Sequence, residues 1–89
     1  MIRKHILFEG RVQGVGFRWR ASLTAQRLVL TGWVRNLSDG RVEMEVQGKQ
    51  TTIGALLAEL QRDSYIRIRA IESQEISVVE GESKFRAKL

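Results

Sequence analysis

Three polar residues, Arg3-Lys4-His5, run into three apolar ones, Ile6-Leu7-Phe8, a stretch that reads as a short strand with Ile6 and Phe8 on one side and Leu7 on the other. The strand pattern ends at Gly10-Arg11-Val12-Gln13-Gly14-Val15-Gly16, a segment too rich in glycine for a comfortable helix. From about Arg18 to Leu28 the period becomes helical. Phe17, Ala21, Ala25 and Leu28 share an apolar stripe, while Arg20 and Arg27 share a wet face. Gly32 to Asn36 and Arg41 to Gln47 then predict a hairpin, in which Val42, Met44 and Val46 point inward and Glu43, Glu45 and Gln47 outward. Asp39-Gly40 supplies its turn, because glycine takes positive φ without steric cost. After Gly48, Thr51 or Thr52 is expected to cap a second helix with the stripe Ile53, Leu56, Leu57 and Leu60. A strand from about Tyr65 to Ser77 follows, with Ile66, Ile68 and Ala70 alternating against Arg67 and Arg69. A short strand near Phe85 ends the pattern.

The order β-α-β-β-α-β predicts an α+β, ferredoxin-like split βαβ sandwich: a four- to five-stranded antiparallel sheet with two helices on one face. One apolar stripe per helix is what such two-layer packing requires. A length of 89 residues leaves room for a single domain, 1–89. No apolar run approaches the ~18 residues of a membrane span, and the N-terminus lacks a signal-peptide core, so no membrane partner is expected. There is no cysteine, hence no disulfide, thiolate nucleophile or zinc-thiolate site, and a cytoplasmic location is the expectation. The net charge of +5 points to an anionic partner, either nucleic acid or a small phosphate compound. His5 is the only histidine and no carboxylates cluster with it, which argues against a catalytic metal; a surface or half-buried imidazole is expected.

Placement of the charges narrows the choice. A glycine-punctuated loop between a strand and a helix can turn several main-chain N–H groups toward one centre, and the helix start adds free amides with partial positive charge. Arg18 sits in that first turn, where its guanidinium fork fits two phosphate oxygens. A cation there is unfavourable by roughly 0.3–1 kcal/mol, and a bound anion would compensate. The plainer alternative is a tight connection beside a solvated arginine. The loop matches neither a Walker A sequence nor the dinucleotide fingerprint.

The stretch Gly10-Arg11-Val12-Gln13-Gly14-Val15-Gly16-Phe17-Arg18 resembles the signature of the acylphosphatases, and Gly32-Trp33-Val34-Arg35-Asn36-Leu37-Ser38-Asp39-Gly40-Arg41-Val42-Glu43 resembles their second one. The two are in the right order and spacing, and the resemblance spans essentially the whole chain. It implies hydrolysis of acyl phosphates to a carboxylate and inorganic phosphate by direct water attack, with no metal and no organic cofactor. By the same resemblance, the loop Arg11, Val12, Gln13, Gly14, Val15 and Gly16 holds the phosphate with Arg18, and Asn36 holds the attacking water. Inorganic phosphate is then both product and competitive inhibitor. Taken alone, Asn36 is also a residue that suits the end of a strand before a turn. Three positions depart from the family pattern: Val29 stands where a glycine usually ends the first helix, the loop Arg62-Asp63-Ser64-Tyr65 lacks a proline, and Phe85-Arg86-Ala87-Lys88-Leu89 is unusually polar.

An RNA-binding module is the rival from another class, since such modules share the topology and the chain is basic. The arm Arg41 to Gln47 has no aromatic residue for base stacking and carries two glutamates, so no nucleic-acid partner is expected. A second rival, the carbamoyl-phosphate-handling domain of larger hydrogenase-maturation proteins, would call for appended cysteine-rich zinc modules, and none is expected here. Trp33 and Gly32 are read as packing residues, Trp19 as core in preference to rimming the site, Arg67 and Arg69 as a solvated strand face, and the protein as a monomer.

Overall fold

Two helices lie on one face of a five-stranded sheet in the computed structural model, which describes Met1 to Leu89. The elements are β1 (Ile2–Arg11), α1 (Phe17–Arg27), β2 (Thr31–Asn36), β3 (Val42–Gly48), α2 (Gln50–Arg62), β4 (Arg67–Ile76) and β5 (Phe85–Ala87). Strand order across the sheet is β4-β1-β3-β2-β5. The first four strands pair antiparallel, as the alternation predicts. β5 departs from the expectation: it joins β2 in parallel, which makes the sheet mixed. Gly32 is crowded by β3, since a Cβ there would lie 2.0 Å from the Glu45 carbonyl oxygen; only glycine fits there.

The helix-facing side of the sheet supplies Ile6, Phe8, Val34, Val42, Met44 and Val46 to one buried cluster, which α1 and α2 close with Phe17, Ala21, Ala25, Ile53, Leu56 and Leu60. Leu28 and Leu57 pack against it from the margin. Phe8 and Phe17 meet at 4.9 Å between ring centroids, so the strand before the glycine loop and the helix after it are tied by a core contact.

Three local expectations are corrected. α2 starts at Gln50 rather than at a threonine cap. Lys49 is its N-cap residue in an extended conformation and makes no side-chain cap, its carbonyl accepting from Ile53 N–H at 3.0 Å, so Thr51 and Thr52 lie inside the first turn. Ala70 faces solvent instead of the core. The β1–β4 register shifts between Glu9 and Gly10, leaving Arg69 as the extra residue of a bulge, and this flips the pleat so that Ile71 packs inward opposite Phe8. β1 itself runs on to Arg11, because Gly10 lets the strands approach closely: a Cβ there would lie 2.2 Å from the Arg67 carbonyl oxygen.

Val29 does take the left-handed conformation, at φ 56°, and is the sole non-glycine residue with positive φ. It closes α1 in a Schellman turn, with Leu30 N–H bonded to the Ala25 carbonyl at 2.8 Å and Val29 N–H to Gln26 at 3.1 Å. A β-branched residue pays roughly 1–2 kcal/mol for that conformation. Val29 is exposed and contributes no core packing. Val29→Gly is therefore expected to stabilise the protein by about 1 kcal/mol, the glycine's greater unfolded freedom offsetting part of the relief. Thermal melting should show a rise of roughly 4–8 °C.

β4 and β5 lie on opposite edges, so residues 77–84 cross the helix-free face between them. Two polar clamps hold this crossing. The Gln47 side-chain amide accepts from Val79 N–H at 2.8 Å and donates to its carbonyl at 2.9 Å. Arg3, only 2% exposed, forks onto Glu82 at 2.7 and 3.2 Å and also donates to Glu45 at 2.8 Å and Gln47 at 3.1 Å. No helix is long and apolar enough to cross a membrane.

Candidate active site

The loop after β1 turns on two left-handed glycines, Gly14 at φ 73° and Gly16 at φ 78°. Gly16 is the N-cap of α1 and has no side chain to cap it, and no acidic residue stands in the first turn. The N–H groups at the start of α1 thus keep their positive end open, with Arg18 as the second helical residue. Gln13 pins the loop: its side-chain amide donates to the Leu37 carbonyl at 2.7 Å and the Arg41 carbonyl at 2.9 Å, both in the β2–β3 turn. That turn is shaped by Gly40 at φ 94° and by the Asp39 carboxylate accepting from Arg41 N–H at 3.0 Å. The Arg41 main-chain N–H holds the Asp39 carboxyl below the usual carboxylate range.

A cavity of about 570 Å³ opens on the helix side of the sheet. Val12, Gly14 and Gly16 of the loop, Arg18 of α1 and Asn36 at the end of β2 all line it. The other loop residues go elsewhere. The Arg11 side chain lines a separate cavity, the Gln13 amide is spent on the hairpin, and Val15 packs against the core. Arg18 and Asn36 come from separate elements, and the packing of α1 against β2 brings them to one cavity.

The far wall is the C-terminal segment, which the sequence reading does not assign to the site. Lys88 N–H is bonded to the Val34 carbonyl at 2.8 Å and seats the segment after β5 beside β2. The Lys88 carbonyl accepts from Arg18 Nη1 at 2.9 Å, holding the guanidinium against this wall. Ser22 and Gln26, one and two turns beyond Arg18, line the same side; Gln26 Nε2 donates to the Phe85 carbonyl at 3.3 Å. Their i, i+4, i+8 spacing with Arg18 is a polar stripe present in the sequence but overshadowed by the apolar one. Trp19 also lines the cavity and is 62% exposed, so its expected place in the core is corrected: it projects nearly opposite Phe17 and Ala21 on the helix.

His5 lies on the helix-free face, half-buried, with Nε2 2.7 Å from Glu43. Burial would raise the Glu43 carboxyl, but hydrogen bonds from His5 and Arg35 outweigh it and hold it below its ordinary value. No three His, Cys, Asp or Glu side chains gather as a metal-binding group.

Comparison with known proteins identifies the family and the fold. The acylphosphatase family model matches residues 4–87. An acylphosphatase of Clostridium beijerinckii is 42% identical over 89 residues, 99% of each chain. The crystal structure of acylphosphatase from Bacillus subtilis superposes with a TM-score of 0.91 at 31% identity, covering 100% of both chains. A structure of full-length HypF in a phosphate- and nucleotide-bound form contains a similar unit, with a TM-score of 0.86 and 32% identity. That match covers 98% of this chain but 12% of the larger one.

Proposed function

The chain belongs to the acylphosphatase family, and from that premise we propose that Arg18 and Asn36 are its catalytic residues and that the main chain of Arg11 to Gly16 is its phosphate cradle. The observation that carries this reading is the convergence of Arg18, Asn36 and two left-handed glycines on one cavity at an uncapped helix start. Arg11 contributes its main chain alone, since its side chain lines a different cavity.

The reaction suits so small a set of groups. The leaving carboxylate has a conjugate-acid pKa of ~4, so it departs without a general acid or a metal to neutralise it. Phosphoryl transfer passes through a loose transition state with charge spread over three equatorial oxygens. Catalysis is then positioning plus electrostatic stabilisation, which preformed amides and one guanidinium supply. Asn36 offers its carbonyl to the attacking water and its N–H to a phosphoryl oxygen. A phosphoryl oxygen takes the water's proton late in the step, and no protein base is required. The reading is of a metal-independent hydrolase acting as a monomer, and the cysteine-free composition supports a cytoplasmic site.

The test is hydrolysis of benzoyl phosphate with excess chelator present. Wild-type activity is expected to be insensitive to chelation and competitively inhibited by inorganic phosphate. Asn36→Ala should lose on the order of 10²-fold in kcat with its melting transition intact. Wild-type turnover in Asn36→Ala would remove the water-holding role.

A further inference from the structure

A second cavity, about 690 Å³, lies at the same end of the sheet on the helix-free side. It is lined by the end of β1 (Glu9, Gly10, Arg11), the β2–β3 turn (Asp39, Gly40, Arg41) and the start of β4 (Arg67, Ile68, Arg69). Four guanidinium groups border it against two carboxylates. Those carboxylates are taken: Asp39 pairs with Arg41 at 2.9 Å and Glu9 with Arg69 at 2.6 Å. Arg11 and Arg67 stand directly opposite each other in the antiparallel β1–β4 ladder. Neither has a carboxylate within 4.0 Å.

Like charges directly across a ladder are destabilising, and here they face a basin that already holds two further arginines. Gly10 keeps them close, because the approach of its backbone to Arg67 admits no Cβ. We propose that this basin is an anion site for an oligophosphate group, separate from the hydrolytic cavity; it shares Arg11 with the proposed cradle, using the side chain where the cradle uses the main chain. A run of phosphoryl oxygens would satisfy Arg11 and Arg67 together by charge-assisted hydrogen bonds and reach toward Arg41 and Arg69. The lining explains the choice of ligand. Ile68 is its one apolar residue and it contains no aromatic ring, so nothing receives an apolar body or stacks a base. The same group can arrive as free tripolyphosphate or as the tail of a nucleoside triphosphate.

Titration of ¹⁵N-labelled Arg18→Ala protein with inorganic tripolyphosphate tests the site with the catalytic cavity disabled. Amide shifts are expected to concentrate at Gly10, Gly40 and Arg67 to Arg69, with ATP binding within a few-fold of tripolyphosphate. Arg67→Glu, made in the same background and in the wild type, should weaken binding by about tenfold or more, the factor one charge-assisted hydrogen bond supplies. It should also raise the melting temperature, because the new carboxylate relieves Arg11, while benzoyl phosphate hydrolysis in the wild-type background stays unchanged. Shifts confined to Gly14, Gly16 and the start of α1, or equal affinity in Arg67→Glu, would overturn the site. So would much tighter binding of a single-stranded oligonucleotide, which would make the basin a nucleic-acid contact.

Discussion

Arg18→Ala is expected to lower kcat/KM for benzoyl phosphate by about 10³-fold or more, with folding preserved. The guanidinium stands in the first turn of the helix that the left-handed Gly16 opens, in a cavity that Arg86 and Lys88 also line. Its work is to match charge that develops on the equatorial oxygens, in a pocket walled by Trp19, Phe85 and Ala87, where water screens it less than in bulk. Losing a forked, charged donor therefore costs more than losing a neutral one. Arg18→Lys should recover only part of the loss, since an ammonium keeps the charge but not the two-pronged geometry. The fold should be indifferent, because the protein contact Arg18 makes is an exposed bond to the Lys88 carbonyl. Steady-state kinetics beside thermal melts separates the two effects. A fall in melting temperature that parallels the lost activity would mean the residue is structural.

The second large effect is on stability, and it lies on the other side of the sheet. Glu82→Ala removes the partner of a guanidinium that is 2% exposed, and breaking such a buried pair costs about 3 kcal/mol or more. Glu45 remains to hold Arg3, which keeps the expected loss at the lower end of that range. Melting should fall by more than 10 °C, at roughly 4–8 °C per kcal/mol for a chain of this size. The damage should also reach catalysis. Residues 77–84 deliver β5 to its place beside β2, and the Lys88 carbonyl that steadies Arg18 follows β5. Arg3→Met in the Glu82→Ala background should cost less than Arg3→Met alone, the coupling that identifies a pair. Burial would raise the Glu82 carboxyl, but the hydrogen bond and charge of Arg3 outweigh it and hold it below its ordinary 4.5. The pair's stabilisation is therefore complete above that pH and is lost as pH falls from there through the lowered value. The wild type should lose stability in that acid window faster than Glu82→Ala does.

Local pattern was enough wherever a neighbour in sequence decides the structure. The inward set Val42, Met44 and Val46, the stripe Phe17, Ala21 and Ala25, and the Asp39-Gly40 turn follow from side-chain periodicity and glycine's freedom. The glycine loop and Arg18 stand out locally as a candidate anion site, whereas Asn36 alone reads as a strand-end residue and takes its proposed role from the family motif. What escaped depends on contacts made far along the chain. The bulge at Arg69 answers to Gly10 on another strand, so alternation read along β4 alone puts Ala70 inward. The three-residue β5 has too little pattern of its own to announce a parallel pairing, and its place is set by the Arg3–Glu82 and Gln47–Val79 clamps. The cavity wall it carries was invisible with it, because a main-chain carbonyl such as that of Lys88 has no sequence signal. Residue type favours the core for Trp19, but its helical position points it away from the core and leaves it at the rim of the cavity, the alternative reading.

The account stands on the loop and Arg18 acting together as an anion cradle, and a crystal structure with bound phosphate addresses that directly. Phosphate is expected against the main chain of residues 11–16 and the first turn of α1, with the Arg18 guanidinium forked onto two of its oxygens and Asn36 facing the side where water attacks. Crystals soaked to saturation that show this cavity without phosphate, Arg18 still bonded to Lys88 alone, would contradict it.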